Sequence, residues 1–299
     1  MAARRAWVLN LDADLELAAG KQYEPSRRVA NAMKVHAVQL AATLLAEGDI
    51  VVDETSVPLC ARGRSGHAFC PTRRAVAILR RAGAEPEPHP SVDVICRVNS
   101  RAFATSLGET LPGARFVTDV DVALAMLRTP TPLGGAWRLK YAFGMAGRNQ
   151  RVVTPSQLDD RDVDFVTRGI RGAGVQIEPN VVIDEEYAIH GFLDVEGSLT
   201  PGTLVRQRCD ARGAWTSTDR LSEDGRTHAR VSQVMSEELR HVGMALHLAG
   251  YFGPFGIDAY AYRGAAGEPC FQRRSEINAR YSMGFAVGFR EDASQHPPR

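Results

Sequence analysis

Between Gly250 and Gly284 the chain carries two runs of strand-like alternation at the spacing of one β-hairpin. Ile257 to Tyr262 alternates apolar and mixed residues, Arg263 to Pro269 supplies glycines for a turn, and Phe271 to Asn278 resumes the extended pattern. Side chains two apart on a strand share a face, so Glu276 and Asn278 project together, and Asp258 on the partner strand can face them across the ladder. Two carboxylates and an amide carbonyl, with no His or Cys beside them, form an oxygen-only donor set. Such a set suits a hard cation such as Mg2+, held with waters and with a nucleotide's phosphates.

The N-terminal part alternates strands with helices. Trp7 to Leu11 reads as a short strand, followed by a loop holding Asp12, Asp14 and Glu16; Ser26 to Leu45 has helical apolar spacing, and Ile50 to Val52 forms the next strand. Thr72 to Ala82 is expected to be a helix ended by Gly83, and Val92 to Val98 a buried strand running into Asn99-Ser100-Arg101. This order implies a parallel sheet, whose ligands gather at the carboxyl ends of strands, so Asp12 and Asn99 to Arg101 are candidate substrate contacts as well as ordinary loop residues.

After a turn at Leu111-Pro112-Gly113, a helix is expected from Val120 to Leu127, and the Pro- and Gly-rich run from Thr129 to Gly135 reads as a linker. Ala136 to Tyr141 and Gln150 to Val153 then form strands around the loop Phe143 to Asn149. Glycines 144 and 147 let that loop turn backbone N–H groups onto phosphate oxygens, and Lys140 at the strand end can meet the same charge. Asp159 to Ile170 reads as a helix, and the apolar strand Val175 to Ile183 is interrupted at Glu178-Pro179. Strands around the turn 196–198, an unpatterned polar segment from Asp210 to Thr227, and an amphipathic helix from Ser232 to Ala249 complete the chain before the hairpin. That helix has Val234, Leu239, Val242, Met244, Leu246 and Leu248 as core candidates, and its His241 and His247 read as packing residues. The polar end from Glu291 to Arg299 is expected to fray.

Composition excludes several classes. The chain has 299 residues, 44% hydrophobic and 24% charged, with a formal net charge of +1, enough for about two domains and without the basic stripe of a nucleic-acid or acidic-membrane binder. Asn10, Asp12 and Asp14 break the first apolar run, so no signal-peptide core is expected, and no stretch approaches membrane-spanning length. Five widely spaced cysteines suit free thiols in a reducing cytoplasm; Cys60, His67 and Cys70 lack a fourth ligand at zinc-site spacing. Only Lys21, Lys34 and Lys140 are lysines, out of 36 basic residues, so where a lysine is used a compact ammonium on a flexible stem can be the reason.

The run Glu276-Ile277-Asn278-Ala279-Arg280, preceded by Gly253-Pro254-Phe255-Gly256-Ile257-Asp258, resembles the ATP-grasp superfamily. Members such as biotin carboxylase, carbamoyl phosphate synthetase and D-alanine:D-alanine ligase carry a penultimate-strand acid and then Glu-x-Asn, some continuing to an Arg. The resemblance covers roughly residues 110 to 288. It implies that Asp258, Glu276 and Asn278 hold Mg2+ (or Mn2+) on ATP, and that Lys140 with Gly144 and Gly147 contacts the phosphates. It further implies that Glu178 to Val181 are the hinge along the adenine edge, that Glu186 (or Glu185) accepts the ribose hydroxyls, and that Arg206 or Arg208 lies near the terminal phosphate. The family's earlier phosphate-binding lysine has no counterpart between residues 35 and 139, where Arg101 or Arg128 could substitute.

The expected class is α/β with α+β: an N-terminal parallel-sheet domain over 1–110, then a two-subdomain ATP-grasp fold, its small lid over 111–182 and its large catalytic part over 183–299. By the resemblance, the activity is that of a cytoplasmic ATP-dependent ligase joining a small carboxylate to an amine through an acyl phosphate, a homodimer being open. A nucleotide-responsive binding protein and a small-molecule kinase are the alternatives. Arg280 is expected on the face of Glu276 and Asn278 if the strand continues, where its planar fork suits a carboxylate or phosphoryl group.

Overall fold

The computed structural model describes residues 4–20, 23–109, 111–144, 147–210, 213–221 and 226–289. Its first part runs β1 (Arg5–Val8), α1 (Ala13–Ala19), α2 (Arg27–Leu44), β2 (Ile50–Val51), β3 (Ser65–Ala68), α3 (Arg73–Arg81) and β4 (Glu85–Pro86). The strands pair in the order β2-β1-β3-β4, all parallel. A parallel sheet is covered on both sides, which is why Ala6, Trp7 and Val8 are buried in succession.

Two expectations fail here. Residues 12–16 are not a loop: α1 begins at Ala13 and buries Asp14, Glu16 and Leu17. The apolar run after Ser91 is not a strand but α4 (Val92–Asn99), followed by α5 (Arg101–Ser106). Ser91 accepts from the Val94 N–H and caps α4, and burial of Ile95, Val98 and Asn99 follows the helical period, so cap and period outweigh the β-branched content.

β5 (Arg115–Val117), α6 (Val120–Leu127), β6 (Trp137–Tyr141), β7 (Gln150–Val153), α7 (Asp160–Gly172) and β8 (Val175–Pro179) form the second unit. Its sheet has the order β5-β8-β6-β7, antiparallel throughout. Trp137, Leu139, Val153, Val175 and Ile177 meet Ala123, Leu127 and Val166 of the two helices in one core, leaving Arg138, Lys140, Gln176 and Glu178 on the opposite face by alternation. A capping box starts α7: Asp159 accepts from the Asp162 N–H at 2.9 Å, and Asp162 accepts from the Asp159 N–H at 3.0 Å. Asp159→Ala is expected to lower stability by about 1 kcal/mol, seen as a lower urea midpoint at constant slope; an unmoved midpoint would show that the box contributes nothing in solution.

Residues 180–182 lead from β8 into β9 (Ile183–Leu193), which begins the large sheet. β10 (Leu199–Pro201), β11 (Val205–Cys209), β12 (Trp215–Arg220), α8 (Arg226–Leu248), β13 (Gly253–Arg263), β14 (Pro269–Asn278) and the short α9 (Phe285–Gly288) follow. The order is β12-β11-β9-β13-β14, with β10 also on β9, all antiparallel. β12 lies in the polar segment that shows no pattern in sequence.

One face of this sheet, with Tyr187, Ile189, Phe255, Ile257 and Ile277, packs on Met235, Leu239, Val242 and Leu246 of α8. Met244 and Leu248, expected in that core, are exposed because the helical period turns them away from the sheet. His247 is exposed, while His241 lies 3.6 Å from Glu238, so it does have a carboxylate neighbour. Glu238 is paired with Arg274, which also donates to the carbonyls of Ala104 at 3.1 Å and Gly108 at 2.7 Å, tying α5 and α8 to β14. The expected fraying at 291–299 lies outside the described residues.

Candidate active site

The hairpin brings the three candidate ligands together. Asp258 pairs with Glu276 across β13 and β14, and Asn278, paired with Gly256, donates through Nδ2 to Asp258 Oδ2 at 2.9 Å. On β9 Ala188 stands opposite Asp258 and on β11 Val205 stands opposite Ala188, so alternation adds Glu186 and Gln207 to the same face. Gln207 donates to Asp258 Oδ1 at 2.8 Å. The β13–β14 ladder shifts register just beyond, between Asp258 and Tyr260, a kind of break common beside active sites.

Burial first, and then the Glu276 carboxylate, push the Asp258 carboxyl up to about 7, against the pull of the Gln207 and Asn278 amides. Glu276 has its own partner, Arg101, at 2.7 Å. The Arg101 guanidinium also donates to the Tyr141 carbonyl at 2.8 Å, while its Nε is buried without a partner among the described residues. A side chain at Gly144 would come to 3.0 Å from Arg101 Nη1, so glycine lets this loop settle against the guanidinium.

A cavity of about 1050 Å³ opens on this face and reaches the small sheet. Lys140, Gly144, Glu178 and Val181 line it together with Glu186, Asp258, Glu276, Asn278 and Arg280. Lys140 is not free to meet an anion alone: its Nζ lies 2.6 Å from Glu178 Oε1, and the Glu178 side chain is 1% exposed. Gln176 donates to the other Glu178 oxygen at 2.7 Å. Gly147 has φ 71°, the left-handed region that glycine adopts without strain; Met145 and Ala146, in the middle of the expected phosphate loop, lie outside the described residues.

Several expected roles do not match the geometry. β14 ends at Asn278, so Arg280 does not continue the strand face; it reaches the cavity from the following segment and donates through Nη2 to Asp14 Oδ2 at 2.7 Å. Arg206 pairs in register with Tyr187, the parity opposite to Asp258, yet Arg206 and Arg208 both line the cavity, their side chains paired with Glu185 at 2.5 Å and Asp219 at 2.7 Å. Gln207 between them takes the inward position. Glu185 and Glu186 both line the cavity, and Glu186 stands within β9 rather than ahead of it. Arg128 is exposed at the end of α6 and does not line the cavity.

Asp12 is taken up by Tyr23 at 2.8 Å and Arg74 at 3.0 Å, and Asn99 brackets Ala279, accepting from its N–H at 2.9 Å and donating to its carbonyl at 3.2 Å. Asn99 therefore holds the backbone behind Asn278 instead of a substrate. His67 bonds Ser65 at 2.7 Å and stacks on Trp7, with no metal site around it and the two cysteines among the described residues. Asp14, Gln207 and Arg138 are among the polar cavity residues that no motif marks. Asp14 could have been singled out by its place after the first strand, but the inward parity of Gln207 depends on a register that no motif marks.

The donor set fits a hard divalent cation. Two carboxylates and an amide stand on one strand pair, and burial, then the facing Glu276, holds the Asp258 carboxyl high; the Cys209 thiol lines the same cavity but bonds Glu186. Among the described residues there is no cluster of three or more His, Cys, Asp or Glu that could hold a metal ion by itself.

A scan against models of known protein families finds no match for this sequence, and a comparison with curated proteins finds none either. Solved structures do match. A Campylobacter jejuni biotin carboxylase in complex with β-γ-ATP superposes with a TM-score of 0.54 at 13% identity, over 97% of this chain and 72% of that one. D-alanyl-alanine synthetase A from Vibrio cholerae gives 0.54 at 12% identity over 93% and 89%, and N5-carboxyaminoimidazole synthetase from Staphylococcus aureus, complexed with ADP, gives 0.51 at 12% over 94% and 71%. At such identities the likeness concerns architecture: a parallel N-terminal sheet and two antiparallel sheets facing one cavity, which is the ATP-grasp fold.

Proposed function

We propose that the chain is an ATP-dependent carboxylate–amine ligase. The observation that carries this reading is that one cavity joins the Asp258, Glu276 and Asn278 row to the Lys140 and Glu178 pair on the facing sheet. In this reading residues 1–110 form the N-terminal domain, 111–182 the lid and 183–299 the catalytic part. ATP lies between the last two, with Glu178 to Val181 along the adenine, Glu186 on the ribose, and Lys140 and the 144–147 loop toward the phosphates. Arg101, buried between Glu276 and Gly144 just behind the cavity wall, is the cation nearer the phosphate end than Arg128.

Asp258, Glu276 and Asn278 would hold Mg2+, which supplies charge neutralisation on the phosphates. A substrate carboxylate oxygen attacks the terminal phosphorus, the bond to the bridging oxygen breaks, and ADP departs with the electron pair. An amine nitrogen then bonds the acyl carbon, loses a proton, and phosphate leaves. Arg280 and the lysine need only orient and stabilise charge, and the scheme calls for no protein nucleophile.

Purified protein with ATP, Mg2+, hydroxylamine and a panel of small carboxylates should release ADP and form hydroxamate. A stable phosphorylated product without hydroxamate would replace the ligase by a kinase, and tight ATP binding with no turnover by a binding protein. Within the same assay Glu186→Ala should raise the ATP KM about tenfold, the loss of one or two hydrogen bonds to hydroxyls, whereas Glu185→Ala should leave it unchanged. Equal effects of the two substitutions would remove Glu186 from the ribose.

A further inference from the structure

The end of the cavity away from the hinge is walled by two opposite charges and by apolar side chains. Asp14 and Arg280 form an ion pair there, both side chains largely buried, and Leu11, Met33, Phe69 and Met283 line the same end. A guanidinium has five N–H donors. Asp14 accepts from Nε at 3.4 Å and from Nη2 at 2.7 Å, and the Tyr281 carbonyl accepts from Nη1 at 3.1 Å. Among the described residues this leaves one N–H on each terminal nitrogen, a spacing that matches the two oxygens of a carboxylate. Each Asp14 oxygen retains a lone pair, so the same pair can accept from an ammonium.

Charge then selects the guest. A simple monoanion that reaches Arg280 brings its charge beside Asp14 with nothing to balance it, and a simple cation that reaches Asp14 does the same to Arg280. A zwitterion satisfies both partners and leaves the net charge of the site unchanged. We propose that this end binds a zwitterionic α-amino acid with an apolar side chain as the carboxylate donor, its carboxylate on Arg280, its ammonium on Asp14 and its side chain against Leu11, Met33 and Phe69. The proposal rests on the ligase reading and narrows its substrate class. An ammonium held on Asp14 stays protonated and non-nucleophilic, so the amine that attacks the acyl phosphate belongs to a second molecule.

The full chain is assayed with Mg-ATP, hydroxylamine and, in turn, leucine, N-acetylleucine, isocaproate and isoamylamine, following ADP and hydroxamate. Leucine should exceed isocaproate and N-acetylleucine in kcat/KM by roughly tenfold or more, and isoamylamine should give nothing. Asp14→Asn should erase that preference, bringing isocaproate level with leucine; thermal stabilisation by Mg-ATP verifies that the variant is folded, and the wild-type panel decides by itself if it is not. Isocaproate used as well as leucine by the wild type overturns the amino-acid site and leaves the ligase standing. If no carboxylate yields ADP, the ligase reading falls, and calorimetry of leucine in the presence of Mg-ADP decides the site: binding that Asp14→Asn abolishes keeps it, and no binding removes it.

Discussion

Lys140→Ala is expected to lower the unfolding free energy by about 3 kcal/mol, because it leaves the nearly buried Glu178 carboxylate without its cation. Lys140 and Glu178 are 2.6 Å apart with side chains 12% and 1% exposed, so removing the lysine leaves Glu178, among the described residues, with the Gln176 amide as its side-chain hydrogen-bond donor. A double change to Lys140→Met with Glu178→Leu should recover most of that loss, since a buried pair replaced by apolar groups of similar volume is often no less stable than the pair itself. Nucleotide affinity should behave differently: it should fall in the single and in the double variant alike, by about 1 to 3 kcal/mol, if the ammonium serves ATP as well as Glu178. Urea unfolding and calorimetry on the two proteins separate the effects. A single variant as stable as the parent would mean that the pair carries no buried charge, and a double variant that binds ATP normally would confine Lys140 to a structural part.

The juxtaposition on the hairpin is legible in sequence because strand parity is a local property: Glu276 and Asn278 are two apart, one turn separates the strands, and the pairing of Asp258 with Glu276 follows. Arg206 and Arg208 are legible only in part for the same reason. Their shared face is readable, but which face depends on the register of β11 against β9, a long-range contact that sets Gln207 inward. Residues 92–98 mislead through composition, Val and Ile arguing for a strand while Ser91 caps a helix. Lys140 shows a third limit. Its strand and its loop are readable, but its partner is a diagonal neighbour on β8, so a lysine expected on phosphates turns out to be paired with Glu178. Arg280 is likewise readable as a special cation and unreadable as the partner of Asp14, which comes from a helix on the far side of the chain.

Asp258→Asn is expected to stabilise the protein at alkaline pH while costing at least a hundredfold in Mg2+-dependent turnover, the pattern of a site whose charges are arranged for a ligand and not for the fold. The sign follows from the direction of its shift. Burial and the facing Glu276 raise the Asp258 carboxyl from 3.8 to about 7, so the folded chain keeps a proton that the unfolded chain has already released. The stabilisation that this proton represents is fully present below pH 4 and is lost as pH rises through 7. Removing the titrating carboxyl should therefore raise the melting temperature at pH 8 by about 3 to 6 °C and leave it little changed below pH 4. A divalent cation favours the ionised form, so Mg-ATP must displace the proton when it binds near or below pH 7, and its affinity should climb with pH until Asp258 is ionised beforehand. Calorimetry at pH 6.5 in two buffers of different ionisation enthalpy should record close to one proton released by the parent and close to none by the asparagine variant. Equal proton counts in the two proteins would take Asp258 out of the metal shell and leave its raised carboxyl as a consequence of burial alone.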